Sequence, residues 1–204
     1  MRAPESYGFK AIGEGAQIFE PVVVLGAQNI VVKNRFMLSA FAYLSGGVGT
    51  YLGNFIHIAT HTSITGGGWC VLEDFVGVCA GARIITGTDD VSGAGIPTPT
   101  IPKDLQGEFR AFYRSFVHCE KHSFIGTNAV ITPGVTVGEG TVIGSGAVVT
   151  KDLEPWGIYV GVPARRVADR PSKKILELEA RLLEQCPADR EGLGEFIAEA
   201  KSRP

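Results

Sequence analysis

Apolar residues return every six positions along most of this chain. From residue 125 the sequence divides into IGTNAV, ITPGVT, VGEGTV, IGSGAV and VTKDLE. Each six opens on Ile or Val. The fifth position is small or β-branched: Ala129, Val135, Thr141 and Ala147. A sandwich strand would repeat every two residues between turn clusters, not every six. The six-residue step predicts a triangular solenoid, a left-handed parallel β-helix. Six residues form one flat side, the first points inward, the small fifth fits the corner, and glycines such as Gly126 and Gly138 tolerate the tight turns.

Carried toward the N-terminus, the frame puts Ile12, Ile18 and Val24 inward, then Val32, Leu38 and Leu44, then Leu52, Ile58 and Ile64, then Leu72, Val78 and Ile84. Three sixes make one coil. Between these coils the step is eight rather than six, so extra residues fall at one corner, where Gly46-Gly47 and Gly66-Gly67-Gly68 lie. The frame stops after Ile84 and resumes with Cys119, Ile125 and Ile131, then Val137, Ile143 and Val149. That gives six coils. One coil cannot bury its apolar side alone, so the stack forms one cooperative core.

The interruption, residues 85–118, reads as a long protruding loop. It carries four aromatics (Phe109, Phe112, Tyr113, Phe116) and three prolines, which predicts an ordered flap. After Pro155-Trp156 the solenoid pattern ends. Ser172 is a candidate helix cap, Ile175, Leu178, Leu182 and Leu183 recur at helical spacing, and Pro187 separates a last short helix over 191–201. The helix is expected to pack on the solenoid end or on a neighbouring subunit. Residues 1–168 thus form the β-helix unit and 169–204 a helical tail.

Composition narrows the function. The net charge of −2 offers no basic field for nucleic acid or an anionic membrane. No apolar run is long enough for a membrane span and the first residues lack an apolar signal core, so a soluble, cytoplasmic protein is expected. Cys70, Cys79, Cys119 and Cys186 show no paired spacing and read as buried reduced thiols.

The segment IGTNAVITPGVTVGEGTVIGSGAVVTKDLEPWGIYVGVPARRV resembles the closing coils of bacterial hexapeptide-repeat acetyltransferases, with V-T-K-D-x-x-P-W and G-V-P-A-R-R as its most specific parts. FIHIATHTSITGGG, LEDFVGVCAG and ITGTDDVSGAGIPTPTIP look like a subgroup acting in polysaccharide and O-antigen synthesis, which includes acyltransferases for dTDP-4-amino-4,6-dideoxyglucose. The resemblance implies a homotrimer with acetyl-CoA in the groove between adjacent solenoids, and no metal.

Small residues on a flat side let the pantetheine chain lie close, which nominates Gly126, Thr127, Gly144, Ser145 and Ala147. Lys151, Arg165 and Arg166 lie near the end where family members hold the phosphates, and guanidinium and ammonium groups suit that charge. Galactoside-type relatives carry a catalytic His at the start of the protruding loop. Here Asp89 stands there, and no His lies between His61 and His118. A sugar hydroxyl needs a strong general base, whereas a neutral amine already carries a free lone pair. An amino-sugar acceptor follows, with Asp89 as proton acceptor and Asp90 and Ser92 as acceptor-binding groups. The bland alternative is turn chemistry.

The four histidines form pairs four apart, His57 with His61 and His118 with His122, both expected to project outward. Asp89 of one subunit paired with His57 or His61 of another is the sharper mechanism. His122, with Asn128 as a polar neighbour, is a further acceptor-binding candidate. Phe109 and Tyr113 suit stacking on a nucleotide base, and Arg110 and Arg114 suit its diphosphate. The competing functions are a sugar O-acetyltransferase and, in another class, a zinc lyase of the carbonic anhydrase type that shares the solenoid.

Overall fold

The computed structural model describes residues 3–202; residues 1–2 and 203–204, the outer ends of the two expected units, lie outside the described residues. Three parallel sheets form the sides of the solenoid. The first sheet stacks Ala11–Ile12, Ile30–Val32, Gly49–Leu52, Trp69–Leu72, Phe116–Cys119 and Val135–Val137. The second stacks Gln17–Ile18, Met37–Leu38, His57–Ile58, Gly77–Val78, Phe124–Ile125 and Val142–Ile143. The third runs from Val23–Leu25 through Tyr43–Ser45, Ser63–Thr65, Arg83–Ile85 and Val130–Ile131 to Val148–Val149. Each coil contributes one strand to each sheet, which is the six-coil β-helix of the hydrophobic frame.

The register explains why the frame is so regular. Leu52 pairs with Val32 below and Leu72 above, Ile58 with Leu38 and Val78, and Ile64 with Leu44 and Ile84. Like residues therefore stack in three inward columns. Sixteen of the eighteen inward residues are buried; Ile12 and Val24 are half-buried because the first coil has no rung beneath it. Fully burying one such aliphatic side chain is worth about 1.5–3 kcal/mol. The fifth positions Ala129, Val135, Thr141 and Ala147 are buried too.

Beyond the sixth coil the frame is lost in the sequence but the stack continues. Leu153 bridges Val137 on the first sheet, and Gly157–Val160 adds Tyr159 on top of Ile143 on the second. Arg165–Asp169 then folds back antiparallel on Gly157–Val160 and closes that sheet.

The corner between the first and second sheets turns through left-handed backbone at Arg35, Phe55, Phe75, His122 and Trp156, none of them glycine. That conformation costs roughly 1–2 kcal/mol per residue. Stacking offsets it: the Phe55 and Phe75 rings lie 4.9 Å apart, and Phe75 and His122 4.8 Å apart. Such ring pairs are worth about 0.5–1.5 kcal/mol beyond the area they bury. Beside them, Asn34, Asn54 and Asp74 each accept the backbone N–H of the residue one coil below, at 2.8, 3.2 and 2.8 Å.

The tail docks on this corner and not on the solenoid end. Helix α2 (Lys173–Gln185) follows Ser172, which holds the cap position without making a side-chain cap bond. Its expected apolar stripe does not seat it: Leu178 and Leu182 are exposed, and the one buried residue of α2 is Glu179. Glu179 receives His122 Nε2 at 2.9 Å and Lys121 Nζ at 3.2 Å. Burial pushes this carboxyl up, but the hydrogen bonds and charges of His122 and Lys121 outweigh it and hold it below the usual carboxylate range. Arg190 donates to Asp74 at 2.6 Å, and Lys33 to Asp189 at 2.7 Å. The last helix, α3 (Leu193–Ser202), lies on the outer side of the first sheet, with Phe196 against Trp69 and Tyr51 and Ala200 buried.

Asp74 is therefore the point where solenoid and tail are joined. It is 2% exposed, while Arg190 stays partly exposed. Asp74→Ala should lower stability by about 3 kcal/mol, the low end for breaking a buried ion pair. Chemical denaturation measures the loss, and limited proteolysis should cut the tail before the solenoid.

Candidate active site

The flap leaves the solenoid at the third corner, after Arg83–Ile85. Gly87–Asp89 pairs antiparallel with Phe112–Arg114, so that Gly87 faces Arg114, Thr88 faces Tyr113 and Asp89 faces Phe112. The extra glycines of the preceding coil seat this root. A Cβ on Gly68 would lie 2.1 Å from the Ser115 carbonyl oxygen and 2.3 Å from that of Thr86. Thr86 Oγ1 accepts the Gly68 N–H and donates to the Thr65 carbonyl. The flap carries secondary structure of its own and is shorter than the expected 85–118: Phe116–Cys119 already belongs to the fifth coil. Helix α1 (Gln106–Phe109) forms the flap's return.

Asp89 stands at the outer end of this ribbon, half-buried, and its Oδ1 accepts Arg110 Nε at 2.5 Å. Asp90 behaves differently. Its carboxylate accepts the Ser92 N–H, the Ser92 hydroxyl and the Ala94 N–H. The Ala94 and Ser92 bonds hold it below the usual carboxylate range. Asp90 and Ser92, expected to bind acceptor, are thus bonded to each other in their own turn, as short polar side chains often are. Phe112 lies between two guanidiniums, with Arg110 at 4.6 Å and Arg114 at 5.2 Å from its ring. Phe109 and Tyr113 are exposed, and Arg114 makes no ion pair among the described residues.

The histidine pairs separate into two environments. His57 is exposed on the outer side of the second sheet, its Nε2 3.1 Å from Ser39 Oγ. His61, at the corner between second and third sheets, stacks on Phe41 at 5.2 Å and meets Thr60 Oγ1 through Nδ1. Within one chain, then, the hydrogen bonds of His57 and His61 go to hydroxyls and not to Asp89. The second pair does not reach an open groove. His118 is buried against Glu73 at 2.7 Å. His122 is buried between Phe75 and the tail with its Nε2 on Glu179, so the structure gives it a structural bond where acceptor binding was expected.

Among the expected cofactor residues, Thr127 and Ser145 are exposed at the second–third corner, and Asn128 stands beside them. Gly126 is buried: a Cβ there would sit 2.6 Å from the Ile143 carbonyl oxygen and 2.6 Å from the Ser145 nitrogen. Gly144 likewise has Val160 at 2.8 Å. Both glycines are needed for rung-to-rung contact. Ala147 is fully buried, so its side chain faces the core and not a ligand. Lys151, Arg165 and Arg166 come together, with Tyr159 and Ala164, around one shallow pocket at the end of the solenoid. Arg166 is tied to Asp169 at 2.8 Å, while Lys151 and Arg165 pair with no carboxylate among the described residues.

Cys79 departs from the expectation that the four thiols are buried. Only Cys70 and Cys119 are fully buried; Cys79 is partly exposed on the second sheet and hydrogen-bonds Thr127. Burial pushes its thiol up more than that bond lowers it, so it stays protonated at neutral pH. Its position directly after the inward Val78 was the available signal. Among the described residues no cluster of three His, Cys, Asp or Glu side chains suits a metal ion, and no helix is long and apolar enough to cross a membrane.

Comparison with known proteins adds four findings. The family described as bacterial transferase hexapeptide (six repeats) matches residues 116–151. The dTDP-4-amino-4,6-dideoxy-D-glucose acyltransferase of Escherichia coli is 32% identical over 174 residues, covering 85% of this chain and 88% of its own. The solved structure of a mutant of AntD, an N-acyltransferase from Bacillus cereus, in complex with dTDP-4-amino-4,6-dideoxyglucose and coenzyme A, superposes with a TM-score of 0.81 at 31% identity, covering 89% of this chain and 94% of that one. AntD in complex with dTDP and 3-hydroxybutyryl-CoA gives a TM-score of 0.79 at 31% identity, over 89% and 93%.

Two neighbouring positions separate a packed residue from an exposed one. Gly126→Ala must push backbone apart and should cost about 1–3 kcal/mol, as overpacked cores do. Thr127→Ala, one residue on and exposed, should stay within about 0.5 kcal/mol of the parent. Thermal melting distinguishes the two.

Proposed function

The chain belongs to the hexapeptide-repeat acyltransferases, and from that premise we propose that it moves the acetyl group of acetyl-CoA to the amino group of a nucleotide-linked 4-amino-4,6-dideoxyhexose, for O-antigen or capsule synthesis in the cytoplasm. The observation that carries the amine acceptor is Asp89 at the flap root, in a flap without histidine. Likeness to a dTDP-amino-sugar acyltransferase along most of both chains supports the same acceptor class.

The chemistry asks for two services. The acceptor is an ammonium ion at neutral pH, and only its neutral form attacks the thioester carbonyl. A carboxylate beside it takes one proton and frees the lone pair, passing that proton to solvent; the C–N bond then forms as the C–S bond breaks, and the second proton shed by the nitrogen passes to the departing thiolate. Asp89 suits the first service because its Oδ2 carries no bond among the described residues. The second is to hold coenzyme A. Thr127, Asn128 and Ser145 offer exposed polar groups along one corner, with Gly126 and Gly144 keeping the side flat, and Lys151 and Arg165 offer free cations for the phosphates. Tyr113, Phe109 and Arg114 are the exposed flap groups that suit the acceptor's base and diphosphate.

A homotrimer with sites between subunits fits the exposed surfaces. The first sheet is covered by α3, whereas the second and third sheets lie bare, and Val91, Ile96, Leu105 and Phe109 of the flap are apolar and exposed in the single chain. In such an assembly the flap of one subunit meets the side of its neighbour that carries His57 and His61. An imidazole from that side is the second candidate for the proton.

Incubation with acetyl-CoA and a panel of nucleotide-linked amino sugars, read by mass spectrometry, tests the reaction class; the amino sugars should be acetylated and their hydroxy analogues should not. Asp89→Asn should lower kcat by about 10²–10⁴-fold with assembly intact on size-exclusion chromatography. Near-normal turnover would remove Asp89 from the chemistry. Replacing Lys151 and Arg165 together with Ala should raise KM for acetyl-CoA at least about tenfold, the value of one charge-assisted hydrogen bond, and leave the acceptor's KM near the parent value. Arg166→Ala alone should do less, because Asp169 already holds that guanidinium.

A further inference from the structure

Arg110 is held from three directions. Its guanidinium lies over the Phe112 ring at 4.6 Å, its Nη1 approaches Gln106 Oε1 of α1 at 3.5 Å, and its Nε donates to Asp89 Oδ1 at 2.5 Å. Its backbone N–H donates to the Gln106 carbonyl and closes α1. The side chain is 15% exposed and thus more enclosed than Asp89, which it serves. The contact is single rather than forked: one nitrogen meets one oxygen, and Oδ2 has no partner among the described residues. Asp90, the adjacent carboxylate, is turned away into its own bonds with Ser92 and Ala94. Arg114, the other cation of the ribbon, lies 5.2 Å from the same Phe112 ring and bonds no carboxylate among the described residues.

We infer that Arg110 is the positioning residue of the acyl-transfer site, holding Oδ1 of Asp89 so that Oδ2 is left at a fixed orientation to take the proton of the acceptor ammonium. The inference rests on the reading of Asp89 as proton acceptor. It differs from the expectation that Arg110 binds the acceptor's diphosphate, since Nε is committed to Asp89 and Nη1 lies against Gln106. An untethered carboxylate turns about its Cβ–Cγ bond, and an error of about 1 Å in the position of a reacting group can cost on the order of 10²-fold in rate. Arg110 is twenty-one residues from Asp89 and reaches it only when the flap has closed on itself. Flap folding and orientation of the proton acceptor are therefore one event.

The test compares Arg110→Gln, Arg110→Lys and Asp89→Asn with the Asp89→Asn/Arg110→Gln double variant, as full chains checked by thermal melting and size-exclusion chromatography. Arg110→Gln should lower kcat about 10–100-fold while KM for both substrates stays within about threefold. Lys offers Oδ1 a charged donor without the planar stack, so Arg110→Lys should recover part of the loss. In the Asp89→Asn background, Arg110→Gln should change kcat by no more than about twofold, because there is no longer a carboxylate to orient. An equal fall in that background, or a loss confined to the acceptor's KM, would overturn the inference and make Arg110 a direct acceptor ligand. Normal turnover by Asp89→Asn itself is a separate failure, of the proton acceptor rather than of its support.

Discussion

Everything in this molecule depends on like stacking upon like: each inward aliphatic side chain rests on the one a coil below, in register, along three columns. Parallel pairing between rungs satisfies the backbone, and the columns bury the apolar sides that no single coil can bury. A one-residue slip within a side would turn its inward residue out to solvent, which fixes the six-residue step. The same demand decides where the chain can be irregular. Extra residues are tolerated at a corner, where no column passes, and the third–first corner takes them in coil after coil: a short 3-10 turn at Ala27–Asn29, then glycines, then the flap. A long excursion there adds little closure cost, since that cost grows only with the logarithm of loop length.

The corners and the tail obey different physics from the columns. Left-handed backbone at five non-glycine residues is compensated by rings that stack from coil to coil, so one corner presents a ladder of aromatic and imidazole faces. The tail reads that ladder through charge. Glu179, buried at the centre of α2, satisfies His122 and Lys121, while Arg190 and Asp189 reach into the column of Asn54 and Asp74. A buried carboxylate is costly unless every partner is present, so this arrangement favours one seating of α2 over sliding alternatives. The apolar grip comes from α3, on a different surface.

These differences explain what was legible in the residues alone. The columns were, because one residue type recurs at one interval; every inward position of the six coils follows from it. The partial seventh rung was not, since Leu153 and Tyr159 continue the columns at broken spacing. The leucines of α2 suggested an apolar seat, and Leu178 and Leu182 are exposed because the contact is polar and its partners lie more than fifty residues away in the chain. Ala147 shows the limit within the frame itself: small size at a fifth position suits both a corner and a ligand, and only burial tells them apart. Asp89 was legible as the residue standing at the flap root. Its bond to Arg110 was not, because it depends on how the flap folds back.

That bond connects the fold to the chemistry. A hydroxyl acceptor needs a base strong enough to take its proton during attack, and imidazole is the usual choice near neutral pH. An ammonium is a far stronger acid, so a carboxylate suffices, provided that it is held still and one oxygen is left open. Asp89 meets both conditions: Arg110 occupies Oδ1, and Oδ2 is free of partners among the described residues. The holding is done by flap residues alone, with Phe112 beneath the guanidinium and Gln106 beside it, so the solenoid columns contribute only the root on which the flap stands. If Asp89 is the proton acceptor proposed above, a rigid stack supports a site whose reactive group is tuned by a loop, and acceptor chemistry can change with the flap while the columns stay as they are.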